Sequence, residues 1–263
     1  MASLQKIEAC LTKKDIIAHL RGMGIRQGMT LMVHSSLSSF GYVIGGARVV
    51  VDALIECVGE EGTLCMPLQD RNNTEPSYWE NPPLAHELMS EVRNNMPVFH
   101  PLESDVEKMG AIVENLRRRK SVEFSAHPNS SFIAWGKYAK QICQHQSWHF
   151  PFSDESPLAR LYDLDAAILL IGVGYRNCTA LHLAEYRSEE RDIVLQGSSC
   201  YENGNRVWKK YLDVDTDTSE FDDIGRIIER HQLVQIEKIG ESTCRFFSLR
   251  QVVDVGERYF RMA

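Results

Sequence analysis

The run Ala166 to Gly174, AAILLIGVG, restricts the fold of this chain more than any other feature: it is apolar throughout, of strand length, and ends in Gly-x-Gly. Such a run reads as a buried strand. The Ala/Leu/Glu-rich segment after it, NCTALHLAEYR from Asn177 to Arg187, reads as the start of a helix. His182 and Glu185 then stand three residues apart on one helical face, just past a strand end. Buried strands commonly deliver catalytic groups there, and a histidine beside a carboxylate is a general base with a group to orient it. Spacing alone leaves open an ordinary helical pair, worth on the order of a few tenths of a kcal/mol.

Strand and helix alternate upstream as well. Lys13 to Met23 carries Ile16, Ile17 and Leu20 at helical spacing with Gly24 as a stop, Thr30 to His34 reads as a strand, and Ala47 to Val58 reads as a helix. Thr63 to Pro67 is a second short apolar strand, which makes a strand, helix, strand unit of an α/β fold. Met109 to Arg119 reads as a helix whose basic end complements its dipole. Ser121 to Ser125 reads as a strand, Trp135 to Cys143 as helical, and Ser156 to Leu161 as a short helix. In the C-terminal third, Glu202-Asn203-Gly204-Asn205 is a hairpin turn between SSCY and RVWKKYL. Phe221 to Gln232 reads as a helix, Lys238 to Phe247 as a strand pairing back at an edge, and Leu249 to Phe260 as a closing helix. From Gln69 to Pro101 the composition turns irregular, as expected of an excursion lining the substrate side of a site, with Leu84 to Arg93 able to form a helix inside it. Residues 1–263 read as a single domain.

At 263 residues and 43% hydrophobic content the chain can bury a full core. The formal charge of −7 argues against nucleic acid as the main partner and suits a cationic small molecule. The basic run Arg117 to Lys120 is short and has no interleaved aromatics. No apolar run reaches the about 18 residues of a membrane span, and MASLQKIEACLTKKD lacks the apolar core of a secretory signal, so no membrane partner and a cytoplasmic location are expected. The seven cysteines are scattered without a CxxC pair and read as free thiols in a reducing compartment. His127, His145 and His149 stand at no metal-binding spacing, and no metal is expected.

A second candidate site is the loop from His34 to Gly46, where a strand runs into serines and glycines and then a helix, presenting backbone N–H groups to a phosphate or a developing oxyanion. The loop has no lysine and does not match G-x-x-x-x-G-K-[ST], which removes the nucleoside triphosphate reading. A plain strand-to-helix turn capped by serine remains the alternative. No G-x-S-x-G elbow supports a serine hydrolase.

Taken together, VHSSLSSFG (Val33 to Gly41), GGA (Gly45 to Ala47), EEGTLCMP (Glu60 to Pro67), HPNSSFIAWG (His127 to Gly136), the segment from Glu155 to Arg187 and ENGNRVWK (Glu202 to Lys209) resemble the aminoglycoside 3-N-acetyltransferase family. The resemblance implies an α/β fold of three-layer α/β/α type, unlike the GCN5-type acetyltransferases, and transfer of an acetyl group from acetyl-CoA to the 3-amino group of an aminoglycoside. It implies His182 as the general base and Glu185 as the acid that orients it. Ser35, Ser36 and Leu37, with Gly41 nearby, match the segment that contacts the pantetheine and phosphates of the cofactor, and Ser130, Ser131 and Phe132 match the neighbouring wall. An aminoglycoside carries several ammonium groups, so its site needs carboxylates; Asp70, Glu75, Asp154 and Glu155, in or beside irregular segments, are the candidates. Thr179 is expected either to hydrogen-bond at the site or to cap the helix. A thioester needs neither a metal nor a covalent intermediate, so direct attack within a ternary complex is expected. Acetyl transfer to another amine and a non-catalytic CoA-binding homologue are the competing readings, and the sequence allows a homo-oligomer.

Overall fold

The computed structural model describes residues 7–70, 72–106 and 109–262. Residues 1–6, which open the segment read above as lacking a secretory core, lie outside the described residues.

Two central strands bury both of their faces, and this dictates the architecture. In β1 (Thr30–Ser35) Leu31 and Val33 enter one hydrophobic cluster and Met32 enters another. With β2 (Thr63–Pro67), β3 (Val122–Phe124) and β4 (Phe132–Gly136) on one side and β5 (Ala167–Ile171) on the other, β1 occupies the middle of a seven-stranded sheet. In β5, Leu169 and Ile171 join the first cluster while Ile168 and Leu170 join the second. Strands with an apolar side chain on either face need a cover on each.

The hairpin β6 (Ile193–Glu202) and β7 (Asn205–Val214) stands apart as its own two-stranded sheet, and β8 (Val234–Ile239) and β9 (Ser242–Ser248) complete the large one. The order is β3-β4-β2-β1-β5-β9-β8. β1 runs parallel to β2 and to β5, and the other pairings are antiparallel, so five strands point one way and β4 and β9 are reversed. Helices α1 (Lys13–Gly22) and α2 (Gly46–Val58) supply buried side chains to the first cluster. Beyond α3 (Met89–Asn95), which buries nothing, α4 (Ala111–Arg117) adds to the same cluster. The second cluster takes its side chains from α5 (Ala139–Cys143), α6 (Pro157–Asp163), α7 (Ala180–Ser188), α8 (Phe221–Arg230) and α9 (Leu249–Phe260).

Because β2, β1 and β5 are parallel neighbours, their C-terminal ends share one edge, where sheets of this kind place ligand sites. The chain leaves β1 through a tight turn at Leu37–Phe40 and leaves β5 through another at Tyr175–Asn177 before α7 begins. At the β5 exit, Gly172 has φ 63, and a side chain there would run into Ser39 of the β1 exit turn. The two turns can lie this close only because that residue is a glycine.

The expected helix over Trp135 to Cys143 is a correction. Phe132–Gly136 is a strand, and only Ala139–Cys143 is helical. Trp135 is paired with Leu64 on one side and Val122 on the other, and this two-sided pairing overrides a locally helical pattern. Lys238 to Phe247 likewise divides into two strands, and β9 lies inside the sheet between β5 and the edge strand β8. The ENGN turn is a hairpin as expected, with Asn203 and Gly204 both at positive φ and Glu202 opposite Asn205. All cysteines are free, and all but Cys10 are buried.

The excursion is fastened to the hairpin. The Asn73 side chain, fully buried, donates from Nδ2 to the Ser199 carbonyl at 3.2 Å and accepts from the Ser199 N–H at 2.8 Å, while Ser198 Oγ donates to the Asn73 carbonyl at 2.7 Å. Substituting Asn73→Ala removes the first two bonds and leaves a buried N–H and carbonyl unpaired, at about 1–3 kcal/mol for each orphaned group before relaxation. We expect urea unfolding to show a loss of about 2–3 kcal/mol with an unchanged m-value. A variant as stable as the wild type would mean that other contacts hold the excursion in place.

Candidate active site

His182 projects from the first turn of α7, directly after the β5 exit. Its Nδ1 lies 2.6 Å from Oε2 of Glu185, and its side chain is 14% exposed against none for Glu185. The other oxygen of Glu185 accepts the Asp217 N–H at 2.9 Å and lies 3.2 Å from Nε of Arg191, which also pairs with Glu220. A fully buried carboxylate is tolerable when both oxygens are engaged and a cation faces it, as here. With Nδ1–H directed to Glu185, the tautomer inferred from this network leaves Nε2 of His182 as the free acceptor. Phe152 stacks on the imidazole at 5.4 Å and an interplanar angle of 8°, and Phe221 packs at 5.1 Å. The ring is therefore held in one orientation by a carboxylate at one nitrogen and aromatic rings packed against it.

Two cavities converge on this histidine. The wider one, about 500 Å³, extends between the excursion and the end of β7 and is walled by Asp213, Asp215 and Asp217. The narrower one, about 170 Å³, runs along the C-terminal edge of the sheet past His34, Ser35, Val173 and Thr179. His182, Gln69 and Thr218 line both.

Each cavity has its own electrostatic character. In the wide one, Asp213 accepts from the Tyr186 hydroxyl and from the Val214 N–H at 2.8 Å, and burial pushes its carboxyl up to about 6 against the lowering effect of those bonds. Burial likewise holds the Tyr186 phenol well above its ordinary range. In the narrow one, Nε2 of His34 and Oγ of Ser35 are buried without a hydrogen-bond partner among the described residues. Burial pushes His34 down to about 3, with a further lowering from His182 whenever that ring is protonated.

The residues singled out from the sequence separate into two groups. Ser35 and Thr179 line the narrow cavity and Ser130 the wide one. Thr179 holds the cap position of α7 without a side-chain cap bond. Ser36, Leu37 and Gly41 line neither cavity and shape the turn behind Ser35: the Ser36 N–H donates to the Ile171 carbonyl at 2.9 Å, Leu37 packs on the core, and Gly41 closes the turn at φ 79. Ser131 is fully buried and donates to the Leu68 carbonyl, and Phe132 is core, 6.1 Å from Phe152.

None of the expected substrate carboxylates lines either cavity at His182. Asp70 is buried and accepts the Asn72 N–H at 3.1 Å, and Glu75 is buried in an ion pair with Arg93; neither lines either cavity. Asp154 pairs with Arg187 at 2.8 Å, and with Glu155 it lines a neighbouring groove of about 920 Å³ that shares Tyr186 and Val214 with the wide cavity and reaches Glu185 but not His182. That groove is the larger space, but its charges are largely spent on one another, as in Asp154–Arg187 and Glu257–Arg261. The carboxylates that do face His182's wide cavity, Asp213, Asp215 and Asp217, were not anticipated. Their signal is an i, i+2, i+4 alternation in DVDTD, which places three acids on one side of an extended segment. His34 opens the candidate loop from His34 to Gly46, but the sequence assigns its side chain no role.

The model of the aminoglycoside 3-N-acetyltransferase family matches residues 32–261. The chain is 39% identical over 250 residues to the SPbeta prophage-derived aminoglycoside N(3')-acetyltransferase-like protein YokD of Bacillus subtilis, covering 95% of this chain and 92% of that one. The crystal structure of YokD superposes with a TM-score of 0.92 at 38% identity, covering 96% and 94% of the two chains. Aminoglycoside N(3)-acetyltransferase VIII of Streptomyces fradiae is 35% identical over 210 residues, 78% of this chain and 72% of that one. The sisomicin-bound structure of AAC-VIa aligns with a TM-score of 0.84 at 26% identity over 97% of this chain and 99% of its own. This chain belongs to the aminoglycoside 3-N-acetyltransferase family of acyltransferases.

Proposed function

We propose that this protein transfers an acetyl group from acetyl-CoA to the 3-amino group of an aminoglycoside by direct attack within a ternary complex. The observation that carries this reading is the position of His182, backed by Glu185, where two cavities of different character meet. The narrow cavity suits the acyl donor, since its buried unpartnered polar atoms on His34 and Ser35 are what a thioester and its amide-bearing arm would engage. The wide cavity, with Asp213, Asp215 and Asp217, suits a polycation. The solved relative with sisomicin bound supports an aminoglycoside as that polycation.

When bound, acetyl-CoA supplies an acyl carbon whose thiolate is already a good leaving group. The work left to the chain is to make the amine nucleophilic and to place it. His182 takes the proton of the attacking amine at Nε2, and Glu185 stabilises the imidazolium that results. The aspartates of the β7 end hold the remaining ammonium groups, which fixes the amine that reaches His182. Ser130 forms part of the acceptor wall, and Ser35 enters the donor site with Ser36, Leu37 and Gly41 shaping the turn behind it. On this reading the helices on the two faces of the sheet make the three-layer α/β/α arrangement of the family, distinct from the GCN5 type, within a single domain. The buried free thiols suit a reducing, cytoplasmic location.

Replacing His182 by Ala is expected to lower turnover by about 10²–10⁴-fold while leaving acetyl-CoA affinity unchanged. The measurement is CoA release with a 2-deoxystreptamine aminoglycoside alongside calorimetric binding of acetyl-CoA. Near-normal turnover in that variant would sink the mechanism. Normal binding of acetyl-CoA without acetylation of any 3-amino aminoglycoside would point to another amine.

Asp213 yields a pH-dependent prediction. Its folded value of about 6 lies above the about 3.9 of an unfolded aspartate, so the native state holds the proton more tightly. The stabilisation from that proton is complete below about pH 4 and is lost as pH rises through about 6. Asp213→Asn should therefore gain stability relative to the wild type between pH 4 and pH 8, by about 1–3 kcal/mol. Urea unfolding at the two pH values measures this, and a relative loss on raising the pH would show that Asp213 ionises readily in the fold.

A further inference from the structure

We propose that His34 is a second catalytic residue, donating a hydrogen bond from a neutral Nε2–H to the thioester carbonyl and holding the oxyanion that forms as the amine attacks. The inference rests on the acetyl-transfer reading above.

Position comes first. Along β1, Met32 packs into the cluster that includes the buried residues of α7, so His34, two residues on, lies on that same side of the sheet at its C-terminal end. His34 and His182 line one narrow cavity, His34 from the strand end and His182 from the first turn of the helix.

His34 is 6% exposed, and its Nε2 has no hydrogen-bond partner among the described residues. Buried polar groups are nearly always bonded, so an orphan in a central strand calls for a partner that arrives with a ligand. A leucine could fill the same place without leaving a polar atom unsatisfied.

The chemistry selects the direction of the bond. An acetyl thioester presents acceptors only, so a group bonded to it must donate. His182 cannot serve there, because its Nδ1–H is committed to Glu185 and its Nε2 must stay free to accept the amine proton. His34 can serve in its Nε2–H tautomer, the one proposed for the unpartnered nitrogen, because burial and, when protonated, the neighbouring His182 disfavour its charged form. A neutral imidazole at that position does not compete as a base, and it polarises a carbonyl without surrendering its own proton.

The transfer then balances. The N–C bond forms as the carbonyl π pair moves onto oxygen, where it meets the His34 N–H, and the amine proton passes to Nε2 of His182. On collapse the pair returns, the C–S bond breaks, and sulfur leaves with its electrons. The departing thiolate takes the proton from the His182 imidazolium and leaves as the CoA thiol, so both histidines end the cycle as they began.

The decisive test uses acetyl-CoA labelled with carbon-13 at the carbonyl, bound to the intact protein without acceptor and read by isotope-edited infrared spectroscopy. The carbonyl stretch should move to lower wavenumber in the wild type, stay at its solution position in His34→Leu, and move again in His34→Gln, whose amide supplies an N–H near the same point. Kinetically, His34→Leu should lose about 10²–10³-fold in kcat with KM for both substrates within about threefold, and its Tm should equal or exceed that of the wild type. His34→Met takes the place of His34→Leu should the latter fail to fold. An identical carbonyl stretch in wild type and His34→Leu, or turnover of His34→Leu within about threefold of wild type, would overturn the role of His34 while leaving the acetyl-transfer reading intact. Absence of acetyl-CoA binding to the wild type would remove that reading, and this inference with it.

Discussion

Glu185 places a fully buried carboxylate behind His182, and three separate parts of the chain converge on it. Its own helix supplies His182, the segment after β7 supplies the Asp217 N–H, and Arg191, after the end of α7, supplies the counter-charge. An ionised carboxylate without these partners would be too costly to bury. The same partners lock the path of the chain after β7, because Asp217 is bonded through its backbone. One interaction thus orients His182 and holds the acidic segment, residues 213–217, over the wide cavity that His182 also lines.

The mixed sheet explains why the narrow and wide cavities stay distinct. Parallel β2, β1 and β5 bring three strand ends to one edge, and the exits of β1 and β5 approach closely through Gly172. That leaves only a narrow passage along the edge. The wider cavity is built outside the sheet, by the hairpin and the excursion joined at Asn73. A substrate recognised there touches elements that share little of the main core, so its shape can vary while the sheet edge does not.

What could be read from the sequence follows from the range of the interactions. The β5 run and the α7 segment are local patterns, and so is the ENGN turn, whose positive φ values demand Asn and Gly. His182 and Glu185 were visible for the same reason, since their contact is an i, i+3 pair on one helix. β4 was hidden because FIAW is a strand only through its pairing on both sides. The irregular look of residues 69–101 pointed to Asp70 and Glu75, yet Glu75 is spent on Arg93 and Asp70 on the local turn. The acids that line the wide cavity sit where a strand ends, and only the long-range docking of the hairpin turns them toward the site.

The two histidines at the sheet edge show how environment assigns role to one side-chain type. His182 has a carboxylate at one nitrogen and a route to solvent, the surroundings that the proposed general base needs. His34 has burial around it and a potential imidazolium nearby, both of which oppose charge. On the proposed mechanism one ring takes the amine proton and the other donates its N–H. A thioester carbonyl placed between them would meet an approaching amine on the His182 side and a donor on the His34 side, which is the separation of base and electrophile that acyl transfer to an amine requires.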